Sequence, residues 1–544
     1  MKFLSLFLLF LLSTLQAISL EHSIIPAPLS YIEKQGHFTL STSTHYYQDT
    51  PLANQAVEYL NHHLLNVSNY TLHITDKTRA SVIFIYNKKL KEEAYTLSVT
   101  PKSIKVLASS QAGFFYGVMT LMQLMNPEIW SPIQLRTVDQ TWTVDACSVD
   151  DLPRFAWRGM MLDSARHFFS VPYVKKFIDR MAQDKLNRFH WHLSDDEGWR
   201  IEIKRYPLLT KVGATRGPNS KLPYSLFPTL PGPKDKPYTG YYTQTQIKDI
   251  VAYAKKRSVE ILPEIDLPAH AKAATVAYPH LLLNPKDSSD YRSVQKVHNN
   301  TIDAGLESSY QFIDGLIEEL TTLFPYPYIH MGGDEVPSGA WVGSPSVKLL
   351  MKTYNLQNSS EVQGYFFQRV DAILAKHNRT LIAWQEAKRN NSQLRKETVF
   401  IAWRGNKSVK RLLKSTNNLL LAPATYFYYD QQYVKVKGEL GHTWAGPTDT
   451  KELYSYQTQQ LKGLASSKSA IYGLHSCLWS EHAHSEAIAD YLVWPRALAF
   501  SELAWSPVDG LDWNNFEQRI DASALRRLEM QNVQYRKPTD YKKF

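Results

Sequence analysis

The sequence predicts an α/β protein in which a (β/α)8 barrel follows a small α+β domain. From residue 151 onward, eight short apolar segments alternate with helical stretches, which is typical of a closed parallel barrel. Polar and aromatic residues cluster just after these segments, where such a barrel places its chemistry. The 544 residues are also too many for one ordinary domain. We therefore expect at least two domains.

The N-terminus resembles a targeting segment. Lys2 precedes the apolar residues 3–12, and small residues follow near Ala17 and Ser19. This pattern predicts a secretory signal peptide over 1–19, which is too short to span a bilayer. No later apolar run reaches the ~20 residues that a membrane span requires. We expect a mature chain in the secretory route, either secreted or lysosomal.

Residues 20–150 are predicted to form the small α+β domain. The segment 80–86 is apolar throughout, residues 95–99 alternate apolar with polar side chains, and 104–106 continues that alternation. Helical patterns cover 57–65 and 113–125. A few strands carrying two helices on one face fit this order.

Residues 151–510 are predicted to form the barrel. Its strands are expected at 160–163, 189–193, 260–265, 328–330, 381–384, 399–403, 419–422 and 471–474. Its helices are expected at 171–182, 243–256, 310–323, 362–377, 409–413 and 491–504. The Pro- and Gly-rich stretch 213–240 is interpreted as a long loop beside the site. Residues 511–544 are expected to be a C-terminal extension that packs on the barrel.

Composition narrows the class of partner. Aromatic residues make up 12% of the chain, and such side chains bind the flat apolar faces of sugar rings. The net charge is +10, but the basic residues are scattered and form neither a zinc-finger pattern nor a basic helix. We therefore expect no nucleic-acid partner, while attraction to acidic glycans stays open.

Covalent modification follows the same expectation of a secretory route. Asn-x-Ser/Thr sequons, which are candidates for surface glycosylation, occur at Asn66, Asn69, Asn299, Asn358, Asn378, Asn390 and Asn406. The chain has two cysteines, Cys147 and Cys477, and their pairing cannot be deduced from sequence. The apolar core, and not a disulfide framework, must therefore hold the fold.

The most informative motif is 330–336, His-Met-Gly-Gly-Asp-Glu-Val. It follows an apolar strand-like run, and its two glycines allow close approach of the backbone. Asp334 and Glu335 follow in direct succession, so both carboxyls lie in one small site. Two such groups cannot both ionise freely, so one pKa should rise. Glycosidic bond cleavage uses a proton donor beside an anion of this kind. Taken alone, the pair could equally be two solvated acids at a strand end.

Six further motifs, taken with this one, carry a family resemblance. They are 163–168 (DSARHF), 190–196 (HWHLSDD), 263–270 (PEIDLPAH), 403–405 (WRG), 428–430 (YYD) and 479–481 (WSE). Together they make the chain resemble the family 20 glycoside hydrolases, which are β-N-acetylhexosaminidases. The resemblance runs from about residue 24 to 505, nearly the whole mature chain.

The resemblance implies roles for three residues. Glu335 would be the general acid and base, with a raised pKa that keeps it protonated for the first step. Asp334 would hold the acetamido N–H of the sugar, and Tyr428 would donate to the acetamido oxygen. That oxygen, and not a carboxylate, would attack the anomeric carbon, so configuration would be retained. Cofactors are not implied, and a homodimer is possible because relatives are often dimers.

The resemblance also implies a binding pocket for the sugar. Arg166, Asp430 and Glu481 would bind its hydroxyl groups. The aromatic wall would comprise Trp384, Trp403, Trp444 and Trp479. Behind them, Asp195, Asp266 and His270 would orient Glu335 and set its proton affinity. A metal site at His192, Asp195 and His270 is the competing interpretation, but no metal-ligand spacing supports it and the family uses no metal.

Two positions depart from the family pattern. Ala269 stands where the family usually has Gly, and Gln385 stands where it often has Asp. Neither replaces a proposed reacting group, so we expect exo-acting release of terminal β-linked GlcNAc, and of GalNAc if the pocket accepts it, from glycans or chitooligosaccharides. A disaccharide-releasing or transglycosylating enzyme is one alternative. A glycan-binding protein with little activity is another.

Overall fold

The computed structural model describes residues 22–136, 141–218, 220–222, 236–389, 392–413, 417–456 and 471–537. The predicted signal peptide lies outside the described residues. So do half of the predicted loop 213–240, namely residues 219 and 223–235, and the end of the C-terminal extension, residues 538–544.

The N-terminal part contains one seven-stranded sheet in the order β1-β7-β5-β6-β4-β2-β3. Its strands are β1 (Ser30–Leu40), β2 (His45–Gln48), β3 (His73–Ile74), β4 (Val82–Tyr86), β5 (Tyr95–Thr100), β6 (Ser103–Ala108) and β7 (Trp142–Asp151). The predicted strands at β4, β5 and β6 are confirmed. The sequence analysis missed β1, because most of its side chains are exposed and an irregularity between Glu33 and His37 interrupts its alternation.

Two helices, Asn54–Ser68 and Gln111–Gln123, pack against each other, and the second also packs on β5 and β6. Ser110 begins the second helix by accepting a hydrogen bond from the backbone N–H of Gly113. Gly117 allows the helix to approach the sheet, since a Cβ there would lie 2.7 Å from Val106 Cγ1. Both predicted helices of this domain are therefore present.

The second part is a closed parallel barrel in the order β14-β15-β16-β17-β18-β19-β8-β9. Its strands are β8 (Trp157–Asp163), β9 (Arg188–His192), β14 (Glu260–Glu264), β15 (Tyr328–His330), β16 (Thr380–Trp384), β17 (Val399–Ala402), β18 (Asn418–Leu421) and β19 (Ile471–Leu478). All eight predicted strands are confirmed. Two further antiparallel pairs of short strands lie outside the barrel sheet. They are β10 (Ser194–Asp195) with β11 (Gly198–Trp199), and β12 (Thr215–Arg216) with β13 (Tyr238–Thr239).

The predicted helices surround the barrel within a few residues of their expected bounds, with one exception. The α-helices are Val171–Gln183, Leu208–Lys211, Gln244–Lys255, Lys272–Ala277, Pro279–Leu282, Glu307–Leu323, Pro345–Tyr354, Ser359–Lys376, Asn406–Leu412, Ala424–Phe427, Thr450–Tyr456, Glu486–Val493 and Arg496–Trp505. The predicted single helix 491–504 is wrong, because Pro495 separates two helices there. Proline has no backbone N–H and clashes with the preceding turn.

The C-terminal residues form Trp513–Arg519 and Leu525–Met530, joined by a π-helical stretch at Ile520–Ala524. Arg519 donates to both carboxylate oxygens of Glu502, at 2.7 and 2.6 Å, and to the backbone carbonyl of Ile24 at 2.8 Å. This buried guanidinium therefore ties the C-terminal helices to the last barrel helix and to the start of the N-terminal part.

Two more buried ion pairs join the N-terminal sheet to the barrel. Arg158 donates to both oxygens of Glu93, at 2.9 and 2.7 Å. Lys185 Nζ lies 2.9 Å from Asp151 Oδ2, with both side chains inaccessible to solvent. Cys147 and Cys477 are both free and buried. Among the described residues, no helix combines the length and the apolar character that a bilayer crossing needs.

The Arg519 contact yields a stability prediction. Arg519→Ala leaves Glu502 buried without its partner, so we expect the free energy of unfolding to fall by about 3–5 kcal/mol. Thermal unfolding followed by circular dichroism measures the change. Arg526→Ala is the matched control, because Arg526 is exposed on the same C-terminal segment and should change stability little. Equal midpoints for the two variants would contradict the assigned role of Arg519.

Candidate active site

A cavity of about 910 Å³ opens at the carboxyl ends of the barrel strands. Most of the residues predicted from sequence line it, namely Arg166, His270, Asp334, Glu335, Trp403, Tyr428, Asp430, Trp444, Trp479 and Glu481. Residues from distant parts of the chain therefore meet in one space, as the barrel predicts.

The backbone after β15 presents the two adjacent acids to this cavity. Gly332 and Gly333 have φ values of +66° and +105°, a region that favours glycine. A Cβ on Gly332 would lie 1.8 Å from Asp266 Oδ1, so no side chain fits there. Glu335 itself has a φ of +46°, which is strained for a residue with a side chain. The turn thus depends on both glycines and on Asp266 beside them.

The pKa values of Asp334 and Glu335 are ordered differently from the prediction. Burial raises the pKa of Asp334, and the neighbouring Glu335 carboxylate adds to the rise. Burial also acts to raise the pKa of Glu335, but His270 outweighs it and leaves that pKa below its ordinary value. The structure therefore gives Glu335 a lowered pKa, opposite to the expected direction. One pKa of the pair is raised, as two adjacent acids require, but it belongs to Asp334.

His270 is the cation that causes this difference. Its Nδ1 lies 3.2 Å from Asp195 Oδ1, while its Nε2 lies 3.7 Å from Glu335 Oε2 and 3.9 Å from Asp334 Oδ2. Burial opposes its charge, but Asp195 and Asp334 raise its pKa well above the ordinary value. Asp195 therefore lies behind His270 and does not contact Glu335 directly. Asp266 accepts a long hydrogen bond, 3.4 Å, from the backbone N–H of Gly333.

Arg166 lies at the cavity surface within a cage of carboxylates. Its guanidinium lies 2.8 Å from Asp195, 3.1 Å from Glu197 and 3.5 Å from Asp163. It also lies 5.0 Å above the centre of the Trp479 ring. Arg166 is thus both a structural ion-pair partner and a residue that lines the cavity.

Asp430 and Glu481 are buried acids whose proton affinities differ. Burial raises the pKa of Asp430 to about 7, and the Glu481 carboxylate contributes to the rise. Burial acts in the same direction on Glu481, but Arg166 and His442 lower its pKa to about 2. Asp430 Oδ2 accepts a hydrogen bond from Gln431 at 2.8 Å. Asp430 Oδ1 and Asp334 Oδ1 accept none from any described residue.

Aromatic rings form one wall of the cavity. Tyr428 and Trp403 are nearly parallel, with ring centroids 6.3 Å apart, and Trp444 meets both edge-on. Trp444 is 55% exposed and stands at the mouth. Trp384 differs from its prediction, because it is fully buried and is not one of the residues that line the cavity. It packs against Trp479 at 5.8 Å and donates its indole N–H to Glu264 at 2.9 Å.

Several side-chain contacts at the site were not predicted from the sequence. Gln295 Nε2 donates to Glu335 Oε2 at 3.2 Å, and the loop around it lines the cavity. Gln385, one of the departures from the family pattern, accepts from the backbone N–H groups of Trp403 and Arg404 at 3.0 and 3.2 Å. Trp403 Nε1 donates to Glu386 at 3.1 Å. Trp403 belongs to the motif 403–405, but Gln295 and Glu386 lie in none of the seven motifs, and their contacts join separate segments of the chain.

Several His and Asp side chains come close enough together to be considered as metal ligands. Asp266, His270 and Asp334 each offer an atom within 4.8 Å of the others, and so do Asp195, Asp196 and His270. His270 Nδ1 is already engaged with Asp195, and Asp196 accepts from Asn300 at 2.8 Å. The direct pairing of these groups accounts for their positions without an ion.

The arrangement combines the parts that a carbohydrate site requires. Two acids stand beside a buried imidazolium, and aromatic rings offer apolar faces. Asp334 and Asp430 each keep one buried oxygen that lacks a donor among the described residues. A buried acceptor without a donor is costly, so a ligand that supplies O–H or N–H groups would satisfy both.

Comparison with known proteins agrees with this chemistry. The family model "Glycosyl hydrolase family 20, catalytic domain" matches residues 155–508, and "Glycosyl hydrolase family 20, domain 2" matches residues 21–152. The chain therefore belongs to glycosyl hydrolase family 20, as the seven motifs indicated.

Three similar proteins illustrate the relationship. A β-hexosaminidase of Vibrio furnissii is 36% identical over 403 residues, which are 74% of this chain and 63% of that protein. A GH20 exo β-N-acetylglucosaminidase of Vibrio harveyi, in complex with N-acetylglucosamine, has a TM-score of 0.89 at 36% identity over 95% of this chain and 79% of that chain. A GH20 β-N-acetylhexosaminidase of Streptomyces coelicolor A3(2) has a TM-score of 0.79 at 28% identity, over 95% and 98%. The chain thus spans less than two thirds of the length of the Vibrio furnissii protein.

The turn at Gly332 gives a second prediction. Gly332→Ala forces a Cβ into Asp266, so we expect the free energy of unfolding to fall by about 2–4 kcal/mol more than in Gly405→Ala. Gly405 is the matched control, because it also has a positive φ, +77°, but a Cβ there meets nothing within 4 Å. Denaturant titration of both variants measures the difference. A Gly332→Ala variant as stable as Gly405→Ala would mean that Asp266 does not limit this turn.

Proposed function

We propose that this protein is an exo-acting β-N-acetylhexosaminidase that releases terminal, non-reducing β-linked GlcNAc, and GalNAc if the pocket accepts it, with retention of configuration. The observation that carries the proposal is the buried acid pair of Asp334 and Glu335, in which Asp334 keeps an oxygen without a donor. An acetamido N–H is a donor of the kind that this oxygen lacks. The printed names of the similar proteins support the same activity.

Glu335 is the proposed general acid and base. It first protonates the glycosidic oxygen and then takes a proton from the attacking water. Burial acts to raise its pKa, but His270, with help from Gln295, lowers that pKa and so favours the ionised carboxylate. A sugar that fills the cavity excludes water, and the lost solvation favours the protonated form. Asp334, whose pKa is raised, is a neighbouring source of that proton.

Asp334 and Tyr428 are the proposed partners of the acetamido group. Ionised Asp334 would accept its N–H and stabilise the positive charge that develops as the acetamido oxygen attacks the anomeric carbon. The Tyr428 hydroxyl would donate to that oxygen and aim it. Burial raises the pKa of Tyr428, and Asp334 and Asp430 are near enough to add to the rise, so the hydroxyl keeps its proton. Because the substrate supplies the nucleophile, two inversions give net retention.

Arg166, Asp430 and Glu481 are the proposed partners of the sugar hydroxyls. Glu481, whose pKa is lowered, is ionised and can only accept hydrogen bonds, so it requires a hydroxyl group that still carries hydrogen. A hydroxyl that is bonded to a further sugar has no hydrogen to donate. This difference favours a terminal sugar and hence exo action, while Trp403 and Trp479 would pack against its apolar face and methyl group.

The compartment, glycosylation and oligomeric state stay predictions. We propose entry into the secretory route, because of the apolar N-terminal pattern, with a secreted or lysosomal destination. A homodimer stays possible by analogy with relatives, and the proposed substrate is a glycan or chitooligosaccharide. The disaccharide-releasing and binding-only alternatives each predict a different outcome of the turnover assay, and the transglycosylating alternative stays a prediction.

Turnover of a chromogenic β-GlcNAc glycoside tests the main proposal. We expect the wild-type protein to hydrolyse it and Glu335→Gln to lose about 10²- to 10⁴-fold in kcat, since the amide cannot transfer the proton. Glu397→Gln, an exposed site with the same chemical change, is the matched control. The first sugar product, followed by proton NMR, should be the β-anomer.

Three results would contradict the proposal. One is undiminished activity in Glu335→Gln, and another is initial release of the α-anomer. The third is tight binding of GlcNAc by the wild-type protein with no turnover of GlcNAc or GalNAc glycosides, which would favour a binding protein. Turnover of only the corresponding disaccharide glycosides would instead favour the disaccharide-releasing alternative.

The pH dependence follows from His270. Glu335 can act only while the pair with Asp334 keeps one proton, so kcat/KM should fall as pH rises through the higher pKa of the pair, the one that is raised at Asp334. His270→Gln removes the neighbouring cation and should raise the pKa of both carboxyls. We therefore expect the alkaline limb of kcat/KM to move upward by about 1–2 pH units, whatever the loss in rate.

His280→Gln is the control for this profile, because His280 is exposed on a short helix that does not line the cavity. Its limb should match that of the wild-type protein. An unchanged or downward-shifted limb in His270→Gln would show that His270 does not set the acidity of the reacting carboxyl.

A further inference from the structure

Residues 291–298, here called the rim loop, form one edge of the cavity. Most of its side chains line the cavity, namely those of Arg292, Val294, Gln295, Lys296, Val297 and His298. Two backbone hydrogen bonds shape its turn: Ser293 N–H donates to Val297 O at 2.8 Å, and Lys296 N–H donates to Ser293 O at 3.0 Å. An isolated β-bridge pairs Arg292 with His298 at its base. The loop therefore has a defined shape.

The rim loop lies on the leaving-group side of the proposed reaction. Gln295, at its tip, donates to Glu335 Oε2 at 3.2 Å. A general acid must lie within hydrogen-bond reach of the glycosidic oxygen that it protonates. The sugar or aglycone on the far side of that oxygen must then pass close to the residues around Glu335. Arg292 and Lys296, which flank Gln295 on the same loop, therefore border the leaving group.

Two cations of this loop lack acidic partners. Arg292 and Lys296 are exposed, and neither forms a salt bridge with any carboxylate in the described part of the chain. The polar contact found for the Arg292 guanidinium is a long one, 3.4 Å, to the backbone carbonyl of Lys296. The nearby acid Asp290 is already occupied, since it lies 2.6 Å from His298 Nε2. The rim loop thus presents two positive charges to the cavity mouth.

A third basic residue, Lys272, forms hydrogen bonds with the backbone of the rim loop. Lys272 Nζ donates to the backbone carbonyls of His298 and Asn299, at 2.9 and 3.3 Å. Lys272 lines the cavity, but its ammonium group is hydrogen-bonded to the end of the rim loop and holds it in place. This contact fixes the position from which Arg292 and Lys296 project.

We propose that Arg292 and Lys296 bind an anionic group, a sulfate or a carboxylate, on the leaving sugar. This is the sugar that keeps the glycosidic oxygen protonated by Glu335. The preferred substrates are then β-linked N-acetylhexosamine units attached to an acidic sugar. The proposal rests on the glycosidase activity proposed above and adds a substrate class to it. Two of the cavity acids already face other groups, because His442 Nε2 lies 3.9 Å from Glu481 and His270 Nε2 lies 3.7 Å from Glu335, which also accepts from Gln295.

The expected preference is modest and sensitive to salt. Exposed ion pairs are weak, and two of them together should change kcat/KM by roughly five- to tenfold. Guanidinium groups bind sulfate and carboxylate with two parallel hydrogen bonds, so Arg292 should contribute more than Lys296. Screening should remove most of the preference at ~0.5 M salt, because the Debye length is then only a few ångströms.

Three β-GlcNAc disaccharides test the proposal, with a neutral, a 6-sulfated or a carboxylated reducing-end sugar. For each, kcat/KM is measured for the wild-type protein and for the double variant Arg292→Gln with Lys296→Gln. We expect the ratio of anionic to neutral kcat/KM to fall about five- to tenfold in the double variant. Using this ratio cancels differences in intrinsic leaving-group reactivity. The sulfated and carboxylated arms show which anion is preferred.

Lys176→Gln is the matched control. Lys176 is exposed on the helix Val171–Gln183 and does not line the cavity, so its substitution should leave the ratio unchanged. An equal ratio in the wild-type protein and the double variant would overturn the proposal, as would a preference that persists at high salt. If the wild-type protein hydrolyses no disaccharide at all, the proposed function fails, which is a different result from a missing preference.

Discussion

The site depends on how a few buried cations are shared among many buried carboxylates. Arg166 contacts Asp163, Asp195 and Glu197, while His270 contacts Asp195 and faces both Asp334 and Glu335. A buried charge without a partner is expensive, so the acids that receive no full cation must hold protons instead. Burial accordingly raises the pKa of Glu197 to about 8 and that of Asp196 to about 6. Asp196 and Glu197 therefore hold protons more tightly than free carboxyls do, in the buried layer around His270 and Arg166.

A second layer beneath the cavity keeps these groups in position. Glu264, at the end of β14, lies 3.0 Å from His190 Nε2 and 2.8 Å from His330 Nδ1, and it also pairs with His192. It accepts the indole N–H of Trp384 as well, which explains why that tryptophan packs behind Trp479 and does not itself reach the cavity. Glu264, on β14, contacts side chains from three other barrel strands, β9, β15 and β16. This network fixes the strand ends from which the site residues project.

Much of this protein could be predicted from its sequence. The barrel strands are local apolar runs, so periodicity located all eight, and the motifs at their ends identified the residues that meet in the cavity. The prediction failed where neighbours in space outweighed local pattern. Strand β1 was missed because its exposed side chains give no alternation, and Trp384 was misplaced because a strand end does not reveal which atoms fill the space above it. The rim loop gave no signal, since its contact with Glu335 joins separate segments of the chain.

The adjacent acids Asp334 and Glu335 show which properties can be predicted from sequence and which require the tertiary structure. Their identities, their place after a strand and the two glycines before them are properties of a short stretch of chain, and only together with the six further motifs do they indicate a glycosidase-like pair. Which of the two binds its proton more tightly depends on His270, which is distant in sequence and reaches them only when the barrel closes. Electrostatic interactions act through space and depend on burial, so the tertiary structure alone decided that Asp334 has the raised pKa and Glu335 the lowered one.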